Sequence, residues 1–161
     1  FYKKGFKWFQ FNINYMIALL RELFENQSDH MFVDYMKEQM IQLYRQLTTC
    51  EMIPSNIFLF IVRSQFIFVD IDESMTIRGT ITALLEKKII HQGGVVCHIE
   101  DLVVHEKHRS QHIGSDLIQH VIDFAKEKGC YKIILNCNVE VESFYEKLGF
   151  QSKNKEMSLY F

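Results

Sequence analysis

Proline is all but missing from this chain, with Pro54 the only one in 161 residues. Seven glycines are scattered, no Gly/Ser-rich stretch appears and no segment repeats, so neither a linker nor an array is expected and residues 1–161 read as one domain. The four cysteines, Cys50, Cys97, Cys130 and Cys137, form no CxxC pair and lack the dense, even spacing of a disulfide scaffold. Structural zinc or any other metal is therefore not expected, and reduced thiols in a cytoplasmic protein are. Excess charge of one sign is lacking too. With 18 basic and 20 acidic residues interspersed and a net charge of -2, no global field draws a nucleic acid or an anionic membrane, and neither is expected as a partner. The apolar patch YMIALL is far shorter than a membrane span, and the FYKKGFKWF before it has no small-residue cleavage site after it.

What is present is apolar material, 48% of the residues, enough for one well-buried core. Phe9, Phe11, Ile13 and Tyr15 alternate with polar residues, the period of a half-buried strand. From Val33 to Leu47 the period lengthens: Val33, Met36, Met40, Leu43, Tyr44 and Leu47 lie three or four apart, one face of a helix. After Pro54 come three β-rich runs, FIFVDI, MTIRGTITALLEKK and GGVVCHIEDLVV, the first two joined by the polar turn Asp72–Glu73–Ser74. QHIGSDLIQHVIDFAKEKG then carries Ile113, Leu117, Val121 and Phe124 on one stripe and stops at Gly129. YKIILNC reads as a buried strand, VESFYEKLGF as a short helix ending at Gly149, and KEMSLYF as a last strand. The expected class is α+β, a mixed, mostly antiparallel twisted sheet flanked by helices.

One stretch invites chemistry. In RSQHIGSD, residues 109–116, a basic residue precedes a helix start. If the segment from Ser110 through Gln111, His112, Ile113 and Gly114 to Ser115 wraps that start, backbone N–H groups without intrahelical partners converge there and the helix dipole adds partial positive charge. Such a turn is an anion site, with Gly114 allowing close approach and Arg109 adding a charged donor. The plain alternative is an ordinary helix start capped by Ser110.

The pieces around this turn resemble the GNAT superfamily of acyl-CoA-dependent N-acetyltransferases, whose signature turn is Arg/Gln-x-x-Gly-x-Gly/Ala and whose later motif is Asn-x-x-Ala-x-x-x-Tyr-Glu-Lys-x-Gly-Phe. Arg109 and Gly114 fit the ends of the first, with His112 in place of the inner glycine. Asn138 and Tyr145 fit the second, with Val141 in place of alanine. EKKIIHQGGVVCHIEDLVV, GCYKIILNCN and FYEKLGF are similar to segments of the small eukaryotic branch that acetylates D-glucosamine 6-phosphate, over roughly residues 43–161. The resemblance implies that the GNAT fold uses acetyl-CoA as co-substrate. The backbone of Leu102, Val103 and Val104 would hold the pantetheine arm, and Ser110 to Ser115 the pyrophosphate. The sugar phosphate would meet Thr48, Lys88, Ile89, Ile90, His91, Glu100, Asp101, Tyr131 and Lys132. It also implies a homodimer in which Thr48 and the C-terminal strand help complete the partner's pocket.

The residue chemistry is compatible with these implications. Adjacent strand residues point to opposite faces, so Glu100 and Asp101 can share a pocket only if the strand bulges there. A backbone N–H near Leu102 to Val104 could then receive a developing oxyanion. Tyr145, a phenol of pKa about 10, can donate to a departing thiolate whose thiol sits near 8.5, or it can be a core aromatic beside Phe144. Asn136 stands where the family has an acid, which is tolerable if only its backbone carbonyl orients the amine, and Tyr160 stands where the family has an arginine. Glu100 acting through water is the candidate base. A covalent route through Cys137 is the lesser alternative, since no histidine is placed locally to activate it. Acetylation of another amine, such as a protein lysine or N-terminus, and a non-catalytic acyl-CoA-binding module are the competing functions.

Overall fold

The structure is a computed structural model that describes residues 15–24 and 30–161. The strand expected from Phe9 lies outside those residues except for its last member, Tyr15, where β1 (Tyr15–Leu19) begins. A 3-10 turn (Leu20–Phe24) follows, then α1 (His30–Tyr44) and α2 (Ser55–Ser64). The chain continues through β2 (Phe66–Asp72), β3 (Ile77–Lys87), the four-residue turn α3 (Ile90–Gly93) and β4 (Val95–Val104). It then runs through a 3-10 turn (Glu106–His108), α4 (Ile113–Glu127), β5 (Cys130–Leu135) and α5 (Val139–Glu146). The strands form one sheet in chain order, β1 to β4 antiparallel and β5 parallel to β4. The mixed, mostly antiparallel sheet is the expected one, and α4 is the crossover that a parallel last pair requires.

Alternation along the strands divides the core. Ile67, Val69 and Ile71 of β2 face α1 and α2, burying Met36, Met40, Leu43, Phe58 and Val62 with them. Phe68 of β2, with Ile81, Ala83, Cys97 and Ile99, faces α4 and its stripe Ile113, Leu117, Ile118 and Val121. Two bulges interrupt this simple parity. In β3, Asp70 pairs with Gly79 but Ile71 with Ile77, so Arg78 is an extra residue; Ile77 consequently faces α1 while Gly79 faces α4. In β4, Thr82 pairs with Glu100 but Thr80 with Val103, leaving Asp101 and Leu102 opposite Ile81 alone. Cys97 and Ile99 therefore face α4, whereas Val103, of the same odd parity, turns to α1 and α2.

Polar contacts fix the helices in place. Gln39 of α1 accepts from Ile77 N–H at 2.9 Å and donates to Met75 O at 3.1 Å, pinning α1 to the β2–β3 hairpin. In that hairpin the Asp72 carboxylate accepts from Ser74 and Thr76 N–H, the local turn expected of Asp72–Ser74. The bulged Arg78 donates through Nε to Asp70 at 2.6 Å. Asp70 is fully buried, and burial lifts its carboxyl above the usual range while Arg78 opposes the rise.

Three expectations are corrected. Residues 55–64, unassigned from sequence, form α2, started after Pro54 and packed through Phe58 and Val62, four apart. β5 is not a buried strand: it pairs only with β4 among the described residues, and Tyr131, Lys132 and Ile134 are exposed. KEMSLYF forms no strand; Met157, Leu159, Tyr160 and Phe161 stand exposed with no neighbouring strand to supply a ladder.

Gly79 is where α4 meets the sheet. A Cβ there would lie 2.9 Å from Ile113 Cγ2, closer than real Cβ atoms come, and 3.1 Å from Leu117 Cδ1 and 3.3 Å from Val103 O, both tighter than most real contacts. Gly79→Val should therefore push α4 off the sheet and cost about 1–3 kcal/mol. A denaturant midpoint unchanged from the native protein would show that α4 does not seat there.

Candidate active site

The β4 bulge shapes a cleft. β4 stays paired with β3 through Val104, but its pairing with β5 ends at Ile99–Leu135. Beyond that point the outer side of β4 has no strand partner among the described residues, and a cavity of about 790 Å³ opens between it and residues 136–145. Asp101 supplies the extra residue in a left-handed conformation, φ +51°, which a non-glycine residue adopts at a cost of roughly 1–2 kcal/mol. Its carboxyl faces the cleft, and burial by the surrounding protein raises its pKa. Beneath the bulge lies Tyr44, whose phenol burial pushes up to about 12 despite hydrogen bonding to Thr80 and Thr82, with Asp101 adding to the rise.

The turn entering α4 closes one end of the cleft. His112 caps the helix with φ +63°, and Ser110 also has positive φ, +62°. The left-handed position at His112 is the one where the family motif has its inner glycine, so the substitution keeps the conformation at a steric cost. Ser110 is not the cap: Asp116 N–H makes the first helical bond to His112 O at 2.9 Å, and Ser115 Oγ donates to the same carbonyl at 2.6 Å. The N–H groups of Ile113, Gly114 and Ser115 precede that first bond, and all three residues line the cavity. A Cβ on Gly114 would touch Phe144 and Val104 at 3.5 and 3.6 Å, ordinary contacts, so its glycine serves the room beyond Cβ. Arg109 is at the cavity, but its guanidinium donates to Val104 O at 3.4 Å and to Gln46 Oε1 at 3.3 Å.

Tyr145 stands on the opposite wall, half-buried, its ring edge-to-face with Phe144 at 5.0 Å and Phe150 at 6.0 Å. Burial raises its phenol pKa, and the nearby Cys137 adds to the rise, so the hydroxyl remains a donor at neutral pH. Asn136, Cys137 and Asn138 continue from β5 along the same wall.

The cavity thus brings together Asp101, Leu102, Val104, Arg109, Ser110, His112, Ile113, Gly114, Ser115, Asn136, Asn138 and Tyr145. Val103 is not in the cavity wall, its side chain being in the core and its backbone paired with Thr80 of β3, and Gln111 is spent on the turn itself, bonding Lys107 O. Glu100 is exposed beside the bulge and is not in the cavity wall, and neither is Thr48, in the loop after α1. The remaining residues of the expected sugar set form a second group at the far end of β4. His91 stacks on Tyr131 at 4.7 Å, Lys132 lies 5.8 Å over the same ring, and Lys88 pairs with Glu86, which also bonds His98. Ile89 and Ile90 are exposed there, and His91 and Gln92 wind left-handed. Six residue steps along the strand lead from Val95 to Asp101, placing the two groups roughly 20 Å apart within one chain. Sequence reading missed Tyr44, Gln46, Leu47 and Phe144 as neighbours of the cleft; their helical and aromatic spacing signalled only a core.

A model described as the acetyltransferase (GNAT) family matches residues 18–150. The glucosamine 6-phosphate N-acetyltransferase of Arabidopsis thaliana is 40% identical over 90 residues, 56% of this chain and 60% of that protein. Glucosamine 6-phosphate N-acetyltransferase 1 of Oryza sativa subsp. japonica is 42% identical over 78 residues, 48% of this chain and 47% of that protein. The matched part of the chain spans about half the length of these curated relatives. The crystal structure of glucosamine-6-phosphate N-acetyltransferase from Arabidopsis thaliana superposes with TM-score 0.78 at 30% identity, covering 91% of this chain and 98% of that one. A Trypanosoma brucei acetyltransferase superposes equally well, TM-score 0.78, at 26% identity over 91% and 99%.

Proposed function

The chain belongs to the acetyltransferase (GNAT) family, and from that premise we propose that it transfers the acetyl group of acetyl-CoA to the amine of D-glucosamine 6-phosphate. The products are N-acetyl-D-glucosamine 6-phosphate and CoA, a supply step for UDP-N-acetylglucosamine in a reducing cytoplasm. The observation that carries the reading is the cleft left where β4 bulges away from β5, with the N-terminus of α4 at one end and Tyr145 on the facing wall. The acceptor is taken from the relatives, which bear that activity in their names.

The cleft's own groups suit a pantetheine thioester. The side of β4 turned away from β3 between Leu102 and Val104, where among the described residues only Arg109 bonds Val104 O, offers backbone hydrogen bonds to an extended arm, and the N–H groups at Ile113 to Ser115 suit a pyrophosphate. In direct transfer the amine nitrogen forms a bond to the thioester carbonyl carbon, the carbon–sulfur bond breaks, and the nitrogen loses a proton. A β4 backbone N–H stabilises the oxyanion, the Asn136 carbonyl orients the amine, and Glu100 takes the proton through water. Tyr145 donates a hydrogen bond to the leaving sulfur. Asp101 accepts from sugar hydroxyls, while Lys88, His91 and Lys132 clamp the phosphate. Thiol release from acetyl-CoA, measured across a panel with glucosamine 6-phosphate, unphosphorylated glucosamine and a lysine peptide, should be fastest with the first. A preference for the peptide would overturn the assignment of the acceptor.

Because Asp101 and the Lys88–Lys132 group lie at opposite ends of β4, the complete sugar site requires two copies, one giving the cleft and its partner the cationic group. The open edge of β5 and the exposed apolar residues Met157, Leu159, Tyr160 and Phe161 offer the surface for such a homodimer. Light scattering at assay concentration should report a dimer; a fully active monomer would remove this part of the reading.

Tyr145→Phe keeps the ring contacts and removes the donor. Turnover should fall about a hundredfold to a thousandfold, the equivalent of ~2.7–4 kcal/mol for one preorganised donor, with Michaelis constants nearly unchanged. The raised phenol pKa keeps the donor protonated through neutral pH and above, so titration of Tyr145 should not limit the rate there. Turnover within about threefold of the native value, at an unchanged melting temperature, would make Tyr145 a packing residue only.

A further inference from the structure

We infer that Gln46 is a positioning residue for the cofactor's pyrophosphate turn, a clasp between the exit of α1 and the segment joining β4 to α4; the inference rests on the acetyl-CoA reading above. A single atom, Gln46 Oε1, accepts from Glu106 N–H at 2.9 Å and from Arg109 Nη2 at 3.3 Å, across sixty or more residues of sequence. The segment it holds is otherwise built from its own short bonds, His108 N–H to His105 O at 2.8 Å and Arg109 N–H to Glu106 O at 3.4 Å. One tie to the sheet is His105 N–H to Arg78 O at 2.8 Å, at the β3 bulge. Arg109 Nε to Val104 O at 3.4 Å is another, and Gln46 ties the segment to the exit of α1.

The consequence for Arg109 is specific. Its Nε donates to Val104 O and one Nη2 hydrogen is held by Gln46, so the plane of the guanidinium is fixed and its other donors remain for an anion at the cavity. Without the clasp, a long exposed side chain must be ordered at the moment of binding, which weakens affinity. Leu47, the next residue, lines the same cavity, so the clasp also sets how far the α1 exit stands from the turn. The amide nitrogen of Gln46 is not used in either bond. Alanine or methionine in its place removes the acceptor, whereas glutamate keeps it but sets a negative charge beside the anion.

CoA is titrated calorimetrically into the native protein, Gln46→Ala and Gln46→Glu, and KM and kcat for acetyl-CoA are measured with the amine that the native protein accepts. In Gln46→Ala the Kd for CoA and the KM for acetyl-CoA should both rise about fivefold to tenfold, the loss of one or two partly exposed hydrogen bonds, while kcat stays within about twofold. Gln46→Glu, which keeps the acceptor, should differ from native by its charge, so its Kd for CoA relative to native at the same salt should approach unity as salt is raised, whereas that of Gln46→Ala should not. Gln46→Met, of similar length and without oxygen, replaces the alanine variant if that does not fold. Native affinity in Gln46→Ala or Gln46→Met, a fall in kcat with KM unchanged, no recovery of Gln46→Glu at high salt, or failure of both truncated variants to fold would each overturn the inference. Failure of the native protein itself to bind CoA would instead overturn the functional reading beneath it.

Discussion

Much of this structure depends on one unfavourable backbone conformation. Asp101 sits at positive φ in the middle of an otherwise extended strand, costing on the order of 1–2 kcal/mol, and three separate arrangements follow from it. The strand's facing pattern reverses, so that Ile99 and Val103 bury into different halves of the core. Pairing to β5 ends at Ile99, which frees one side of β4 at the place where an extended ligand would lie. The Asp101 carboxyl turns into the resulting cleft, over Tyr44. The hydrophobic clusters on both faces hold the kink in place: Cys97 and Ile99 are locked under α4, and Val103 is locked against α1 and α2. Neither anchor can slip by one residue without exposing the other.

The second bulge, at Arg78, plays a related part beneath the turn entering α4. It brings Gly79 under Ile113 so that α4 can approach the sheet closely, and its carbonyl receives His105 N–H from the turn. The N-terminus of α4 is thereby set by backbone and shape. For N–H donors held in this way, that rigidity would mean little reorganisation were an anion to bind.

The sheet and the long helices were legible in the sequence because period is a direct record of burial: Ile113, Leu117 and Val121 on one stripe of α4, and alternating residues in β2. The turn at 109–115 was legible because a basic residue, a glycine and a helix start fall in order. Asp101 and Glu100 could be named as requiring a bulge, and the bulge is there, but nothing in the letters HIEDLVV marks which residue takes positive φ. α2 escaped because SNIFLFIVRS is apolar nearly all round, so no stripe stands out. β5 was misjudged because YKIILNC is apolar enough for a covered strand, and whether an edge is covered depends on what lies beyond it. The KEMSLYF segment alternates well, but alternation gives a strand only where a neighbour supplies hydrogen bonds. The separation of Lys88–His91 from Asp101 follows from the length of β4 and could have been counted, residue by residue, from the hairpin between Lys87 and Val95.

The parity reversal in β4 also says something about descent. An uninterrupted strand from Val95 to Val104 would alternate without a break and keep Val103 on the same face as Ile99. The difference between that ordinary sheet edge and the present one is a single supernumerary residue, tolerated because both flanking segments were already anchored. A ligand groove of this kind can arise by one codon's insertion into a sheet that needed no groove to fold. Removal of that residue would yield the more regular and less strained strand.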